Sequence, residues 1–401
     1  MRIFKTLVFF GFFLANVTLA AAQAPQEQTL SIEERLRRLE AQLKAQQSTD
    51  RRFHLGGYGE IHGNFKSGGG DQVDFHRLVF YVGYDFSNWI KFSSEIELEH
   101  AFVSDGSDGE VALEQGYVDF LLDPKLNVRI GRFLTPLGII NQHHEPPSFN
   151  GVERPVFSKY IIPTTWPSDG IGVFGRFSRG LQYEFYIAGG LDGSGFDPVK
   201  GIRGGRITER PSLNDPAIMG RIDVFPLELA GVASDHLLRT GISVYAGGIN
   251  NGNEGDDPDV SGDISILSAD FEYTYSRLDL KGVVAWEKID DKEGLKQGVA
   301  DEILGWYLEG AVHWLPNSWK KGRLAKSDST VFLRYEDIDT QYRMPQGVEE
   351  DPKGERSVWT TGIGFYPVPN LVLKMDYQIV DYADSSVNDE YKWNVGIGWQ
   401  F

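Results

Sequence analysis

Along the C-terminal stretch, Tyr391, Trp393, Val395, Ile397, Trp399 and Phe401 alternate with Lys392, Asn394, Gly396, Gly398 and Gln400. A period of two puts the bulky apolar side chains on one face and the small or polar ones on the other, so the chain ends on a strand with one oily side. The same beat sets Leu371, Leu373, Met375, Tyr377 and Ile379 against Lys374, Asp376 and Gln378, and Ile90, Phe92, Ile96 and Leu98 against Lys91, Glu95, Glu97 and Glu99. It recurs with Leu278, Leu280, Val284 and Trp286 opposite Asp279, Lys281 and Glu287, and with Leu304, Trp306, Leu308, Val312 and Trp314 opposite Tyr307, Glu309 and His313. These stretches run about 9–13 residues, enough for a tilted strand to cross a bilayer, whereas ordinary strands average about 5–6. Trp89, Tyr273, Tyr275, Trp286, Trp306, Trp314, Trp393 and Trp399 fall near strand ends, where a membrane barrel carries its aromatic girdles.

Reading every such stretch between 53 and 401 predicts about sixteen strands, among them 90–102, 277–288, 328–338 and 390–401. The connections alternate in length. Those after odd strands are mostly long, including "KSGGGD", "VSDGSDGE", residues 134–169 and "LDGSGFDPVKGIRGGRITERPSLNDP"; those after even strands include "SN", "DPK", "SRG" and "VPN". "FPLELAGVASDH" and "LPNSWKKGRLAKSD" break the short-turn rule. Long loops at one end and tight turns at the other are the signature of an outer-membrane barrel. Only closure pairs every backbone group away from water, so the last strand must meet the first. The expected fold class is all-β: a transmembrane antiparallel β-barrel over residues 53–401.

Before the strands, "MRIFKTLVFFGFFLANVTLAAAQA" combines Arg2 and Lys5, an apolar run and Ala20-Ala21-Ala22, which predicts a signal peptide over residues 1–22. In the segment 23–50, Ile32, Leu36, Leu39 and Leu43 step at coiled-coil spacing among Glu, Arg and Lys; a lone amphipathic helix is the alternative. No later apolar run is long enough for a spanning helix. The chain has no cysteine and a formal charge of −18, a balance that argues against nucleic acid as a partner.

"FHLGGYGEIHGNF", "DFHRLVFYVGYDF", "ALEQGYVDFLL", "LNVRIGRFLTPLG" and the terminal "VGIGWQF", in that order over the mature chain, resemble outer-membrane porins of the phosphate-selective (O and P) type. The resemblance implies a homotrimer of sixteen-stranded barrels in the outer-membrane lipid, passing small hydrophilic solutes by passive diffusion, without cofactor or catalysis. It also implies an N-terminal coiled coil in some members, a third external loop folded into the bore, and a C-terminal aromatic read as an insertion signal.

In a barrel the inward residues set selectivity. Alternation turns Arg77, Arg129, Arg176, Arg221 and Arg334 inward, together with Lys281, Lys374 and Lys392, while Arg132 lies at a strand end where its face is open. The loop at about 134–169 is rich in proline and apolar residues and poor in acid, the composition of a segment that packs rather than floats; Arg154 and Lys159 are its candidates for touching solute. Two readings stand. The guanidiniums form an anion filter, for phosphate above all, or they pair with the inward Glu95, Glu97, Glu99, Glu184, Asp223, Asp279, Glu309, Glu336 and Asp376 as a neutral wet wall. "QHHE" (Gln142 to Glu145) offers a metal too few ligands by itself. "GVFGRFSRG" is no dinucleotide fingerprint, and no G-x-S-x-G or cysteine nucleophile occurs. The alternative to a porin is a structural or adhesive barrel with an occluded lumen; a barrel lipase would need a Ser/His pair near a girdle.

Overall fold

Each alternating segment becomes a strand, and each strand pairs with its neighbours in sequence. The computed structural model describes residues 52–401 except 102, 105–108, 208–209, 212, 233–234 and 251–258, so the expected signal peptide and coiled-coil segment lie outside the described residues. The strands are β1 (Phe53–Lys66), β2 (Gln72–Asp85), β3 (Ile90–Glu99), β4 (Glu110–Asp123), β5 (Leu126–Leu134), β6 (Pro167–Ser178), β7 (Leu181–Gly189) and β8 (Pro216–Val224), followed by β9 (His236–Gly248), β10 (Ser261–Tyr275), β11 (Leu278–Glu293), β12 (Glu302–His313), β13 (Asp328–Arg343), β14 (Glu355–Val368), β15 (Leu371–Tyr382) and β16 (Glu390–Gln400). They form one closed antiparallel barrel of sixteen strands.

Where the edges differ from the sequence reading, the reason is local. β3 stops at Glu99 because His100 and Ala101 take positive φ and turn the chain away. β11 and β13 run on past 288 and 338 because their polar tails still pair, Glu293 with Ser261 and Arg343 with Glu302, after the apolar face has ended. The two long even connections hold short helical turns, Pro226–Leu229 in one and Asn317–Trp319 and Gly322–Leu324 in the other.

Closure runs from Tyr58 opposite Gln400 to Lys66 opposite Lys392. Phe401 adds two further rungs: its N–H donates to the Gly57 carbonyl at 2.8 Å and its carbonyl accepts from the Gly57 N–H at 2.9 Å. Its ring meets Phe80 edge-on on the outer face, with centroids 6.4 Å apart.

The polarity of the cylinder is inverted relative to a water-soluble protein. Ile96, Ile130, Ile171, Ile218, Val244, Leu267, Leu308 and Leu333 are exposed outside, while Glu60, Arg77, Glu95, Glu309, Arg334 and Glu336 are buried inside. So large an apolar exterior is untenable in water and natural in lipid. Trp89, Trp306, Trp314, Trp319, Trp359 and Trp393 also point outward.

Part of the lumen is filled with apolar side chains. The connection from β5 to β6 buries Leu137, Phe157, Ile161, Ile162 and Trp166 against Tyr245, Ile264, Ile266, Val283, Ile303 and Tyr307 of the wall, joined by Leu191, Phe196 and Ile202 from the β7–β8 connection. On the other side, β16 offers only hydrogen atoms to the loop. A Cβ at Gly398 would lie 2.3 Å from Pro146 Cβ, and one at Gly396 2.9 Å from Val152 Cγ1.

Gly398→Leu should therefore dislodge the loop without breaking the strand. We expect an unchanged sheet signal by circular dichroism, stability lower by about 1–3 kcal/mol from overpacking, and new trypsin cleavage at Lys159 in the detergent-solubilised barrel. Protection of Lys159 equal to that in the parent chain would refute this packing.

Candidate functional site

An irregular segment inside a barrel carries backbone N–H and C=O groups that need partners. The inward charges of the wall supply them. Lys374 on β15 donates to the carbonyls of Phe149 and Gly151, both at 2.7 Å. Asp376, one turn of the alternation further, accepts from the Val152 N–H at 2.6 Å. Glu336 on β13 accepts from the Phe157 N–H at 2.8 Å, Arg221 on β8 donates to the Gly138 carbonyl at 3.1 Å, and Lys281 on β11 donates to the Ser148 carbonyl at 3.0 Å. Side chains complete the ring: Asn150 donates to Glu309, Gln142 to Glu184, and Tyr81 to Glu145.

This arrangement sorts the cations expected from the sequence. Arg334 is paired with Glu309 at 3.0 Å and Glu336 at 2.9 Å through Nη1 and Nε, while its Nη2 has no hydrogen-bond partner. Arg221 binds Asp270 and Asp223, each at 2.8 Å. Arg129 grips Asp119 with two hydrogen bonds, of 2.8 and 2.9 Å, and lies over the Tyr117 ring. Arg176 is exposed near the β6–β7 turn. These four and Lys374 stand away from the open cavity; Arg77, Arg132, Arg154 and Lys159 line it. Among the described residues no continuous arginine ladder forms, because alternation reports which face a side chain takes and not whether loop or water covers that face.

The cavity has a volume of about 730 Å³. From β1–β4 it receives Glu60, Asp74, Glu97, Glu99 and Glu114, together with His62 and His76, while His100 comes from just beyond β3. Arg77 is neutralised there by Glu60 at 2.7 Å, Glu97 at 2.9 Å and Glu99 at 3.5 Å, and Arg132 by Asp169 at 2.6 Å. The remaining wall is different. Arg154 and Lys159 from the first inserted segment, Arg203 and Arg206 from the β7–β8 connection, and Arg356 from β14 all reach the cavity.

Four of these five meet only neutral oxygens. Arg154 donates to the His144 carbonyl at 3.3 Å and Thr164 Oγ1 at 3.4 Å, Arg203 to the Thr164 carbonyl at 3.5 Å, and Arg206 to the Arg203 carbonyl at 3.0 Å and the Thr165 carbonyl. Arg356 donates to the Val199 carbonyl at 2.8 Å and lies over the Tyr160 ring. Among the described residues, none of Arg154, Lys159, Arg203, Arg206 and Arg356 is in an ion pair. The buried Nε of Arg154 and of Arg356 has no hydrogen-bond partner. Burial, reinforced by neighbouring Arg203, pulls Arg206 down to about 10, and burial lowers Arg203 as well. Crowded, partly desolvated cations of this kind are relieved by an anion. The sequence reading missed Arg203, Arg206 and Arg356. The basic run "GIRGGRITER" among otherwise acidic loops was the available signal for the first two.

No protein-family model matches the sequence. An uncharacterized protein of Aquifex aeolicus (strain VF5) is 34% identical over 370 residues, covering 86% of this chain and 79% of that one. Among solved structures, the high-pH form of OprB from Pseudomonas putida aligns with TM-score 0.55 at 12% identity, over 90% of this chain and 97% of that one. An anion-selective porin from Comamonas acidovorans aligns with TM-score 0.53 at 12% identity, over 87% and 99%. The trimer form of OmpT from Vibrio cholerae aligns with TM-score 0.51 at 9% identity, also over 87% and 99%. At these identities the likeness is one of fold.

Arg334 separates structure from selectivity. Arg334→Met strands Glu309 and Glu336 as buried unpaired carboxylates, which should cost about 3–5 kcal/mol, read as a lower urea midpoint in detergent. The ion selectivity of the surviving folded barrel should not move. A changed selectivity with unchanged stability would return Arg334 to the filter.

Proposed function

Because the chain belongs to one family with the Aquifex protein and has the sixteen-stranded barrel of outer-membrane porins, we propose that it is a porin of the outer membrane. It conducts small hydrophilic solutes passively and prefers small anions, inorganic phosphate and carboxylates among them. The observation that carries the anion preference is the unpaired cationic group Arg154, Lys159, Arg203, Arg206 and Arg356 on a water-accessible cavity. Fixed donors in a partly dehydrated bore replace the hydration of an anion and repel cations. The acids of β1–β4 limit that preference, since Glu60, Glu97 and Glu99 already answer Arg77. Phosphate selectivity in the stricter sense rests on the resemblance of the strands to the O and P porins, and the homotrimer on the same resemblance and on the trimer form of the Vibrio neighbour. No reaction is assigned to the barrel. The reading of a structural or adhesive barrel draws support from the apolar filling of part of the lumen, and liposome swelling with small sugars separates the two.

Planar-bilayer recordings under a salt gradient test the proposal. The purified chain should give stepwise conductance with a reversal potential on the anion side, and Arg154→Ala/Arg203→Ala/Arg206→Ala should lower the anion-to-cation permeability ratio severalfold, while Arg129→Ala leaves it unchanged. Absence of steps removes the channel. Cation preference persisting at low salt removes the anion claim, because unscreened charge should there dominate.

A further inference from the structure

One side-chain cluster borders the cationic face, whose Arg154 and Arg206 reach the backbone carbonyls of His144 and Thr165 beside it. His144, from the "QHHE" stretch of the inserted loop, is enclosed between Glu95 of β3 and Glu114 of β4, and all three side chains are buried. Its Nε2 stands 3.3 Å from Glu95 Oε1 and 3.6 Å from Glu114 Oε2. Ligand atoms about 2.0–2.2 Å from a tetrahedral metal ion lie roughly 3.3–3.6 Å from one another.

The outer contacts of the three residues turn these atoms toward one another. His144 Nδ1 faces the Asn141 carbonyl at 3.1 Å, so an N–H there donates to that oxygen and presents the Nε2 lone pair inward. Gln115 donates to Glu95 Oε2, and Thr165 donates to Glu114 Oε1. That is the way orienting partners hold metal ligands. Glu114 Oε2, aimed into the cluster, is buried without a hydrogen-bond partner, and so is the hydroxyl of Tyr58, whose ring packs edge-on against His144 with centroids 5.9 Å apart.

We propose that His144, Glu95 and Glu114 bind a divalent first-row transition-metal ion, zinc being the best fit, which clamps the inserted loop to the β3–β4 wall. One imidazole nitrogen with two carboxylates favours such an ion over magnesium or calcium, which take oxygen-only shells. Two carboxylates and a neutral imidazole carry two negative charges, which the dication balances in a place where unbalanced charge is costly. The ion takes the position that a shared proton occupies in the metal-free chain, and it ties residues far apart in sequence, one from the loop and two from adjacent strands. Porin-type conduction does not require the clamp, so the two ideas stand or fall separately.

The test uses the full chain in detergent, stripped with chelator and titrated with Zn²⁺ or Co²⁺, with Mg²⁺ as control. We expect one tightly held zinc or cobalt ion per chain, cobalt absorption bands of a nitrogen-containing site, and zinc-dependent protection of Lys159 from trypsin. His144→Gln and Glu114→Gln should each weaken binding by about 10–100-fold or more, and His100→Gln, in the neighbouring Asp74–His76–His100 group, should leave it unchanged. His144 lies outside the barrel ladder, so His144→Gln can be scored in a chain whose sheet is verified by heat-modifiable migration. Zinc affinity unchanged in folded His144→Gln, loss of binding in His100→Gln instead, or no binding by the parent chain would each overturn the assignment.

Discussion

The interior of this barrel is organised by one requirement: a loop without regular hydrogen bonding runs inside the wall, and the part of its backbone that packs against the strands must be satisfied there. Lys374, Asp376, Glu336, Arg221 and Lys281 each place a charged atom on a loop N–H or C=O. Their positions on four different strands, β8, β11, β13 and β15, pin the loop across that stretch of the wall. The apolar cluster under Phe157, Ile161 and Trp166 supplies bulk burial, and the polar ring supplies register. Without the ring, the loop could slide over the oily patch.

The charges that remain after this anchoring define the cavity. Arg334, Arg221 and Arg129 look like filter residues in an alternating sequence, but each is matched by carboxylates at hydrogen-bonding distance. An arginine so matched contributes little net field to a passing ion, because its partners cancel it within a few ångströms. Arg154, Arg203, Arg206 and Arg356 bond to carbonyls and hydroxyls and keep their charge uncancelled. Electrostatic character in the bore therefore follows the loops more than the strands. The outer surface obeys a simpler rule, since lipid asks only that the exposed faces be apolar and the ladder be closed, down to the last rung at Phe401.

What the sequence by itself determined is the cylinder. Strand existence, strand number, the oily exterior, the inward turn of Arg77, Arg221 and Arg334, and the pairing of the last strand with the first all follow from a period of two repeated over membrane-length segments. Periodicity is a local property, and side-chain direction in a strand is set by backbone geometry alone.

What only the tertiary structure decided is which inward faces meet water. Lys374 and Lys392 sit on the same inward side of adjacent strands, yet one is buried under Phe149 and Gly151 and the other lines the cavity. The same holds for His144, whose partners Glu95 and Glu114 lie some thirty to fifty residues back along the chain. Such meetings depend on the path of a long irregular loop, which no period encodes. Its route is set by shape and by the pairing of individual groups, such as Pro146 against the bare face of Gly398, and those pairings exist only once the barrel has closed around it.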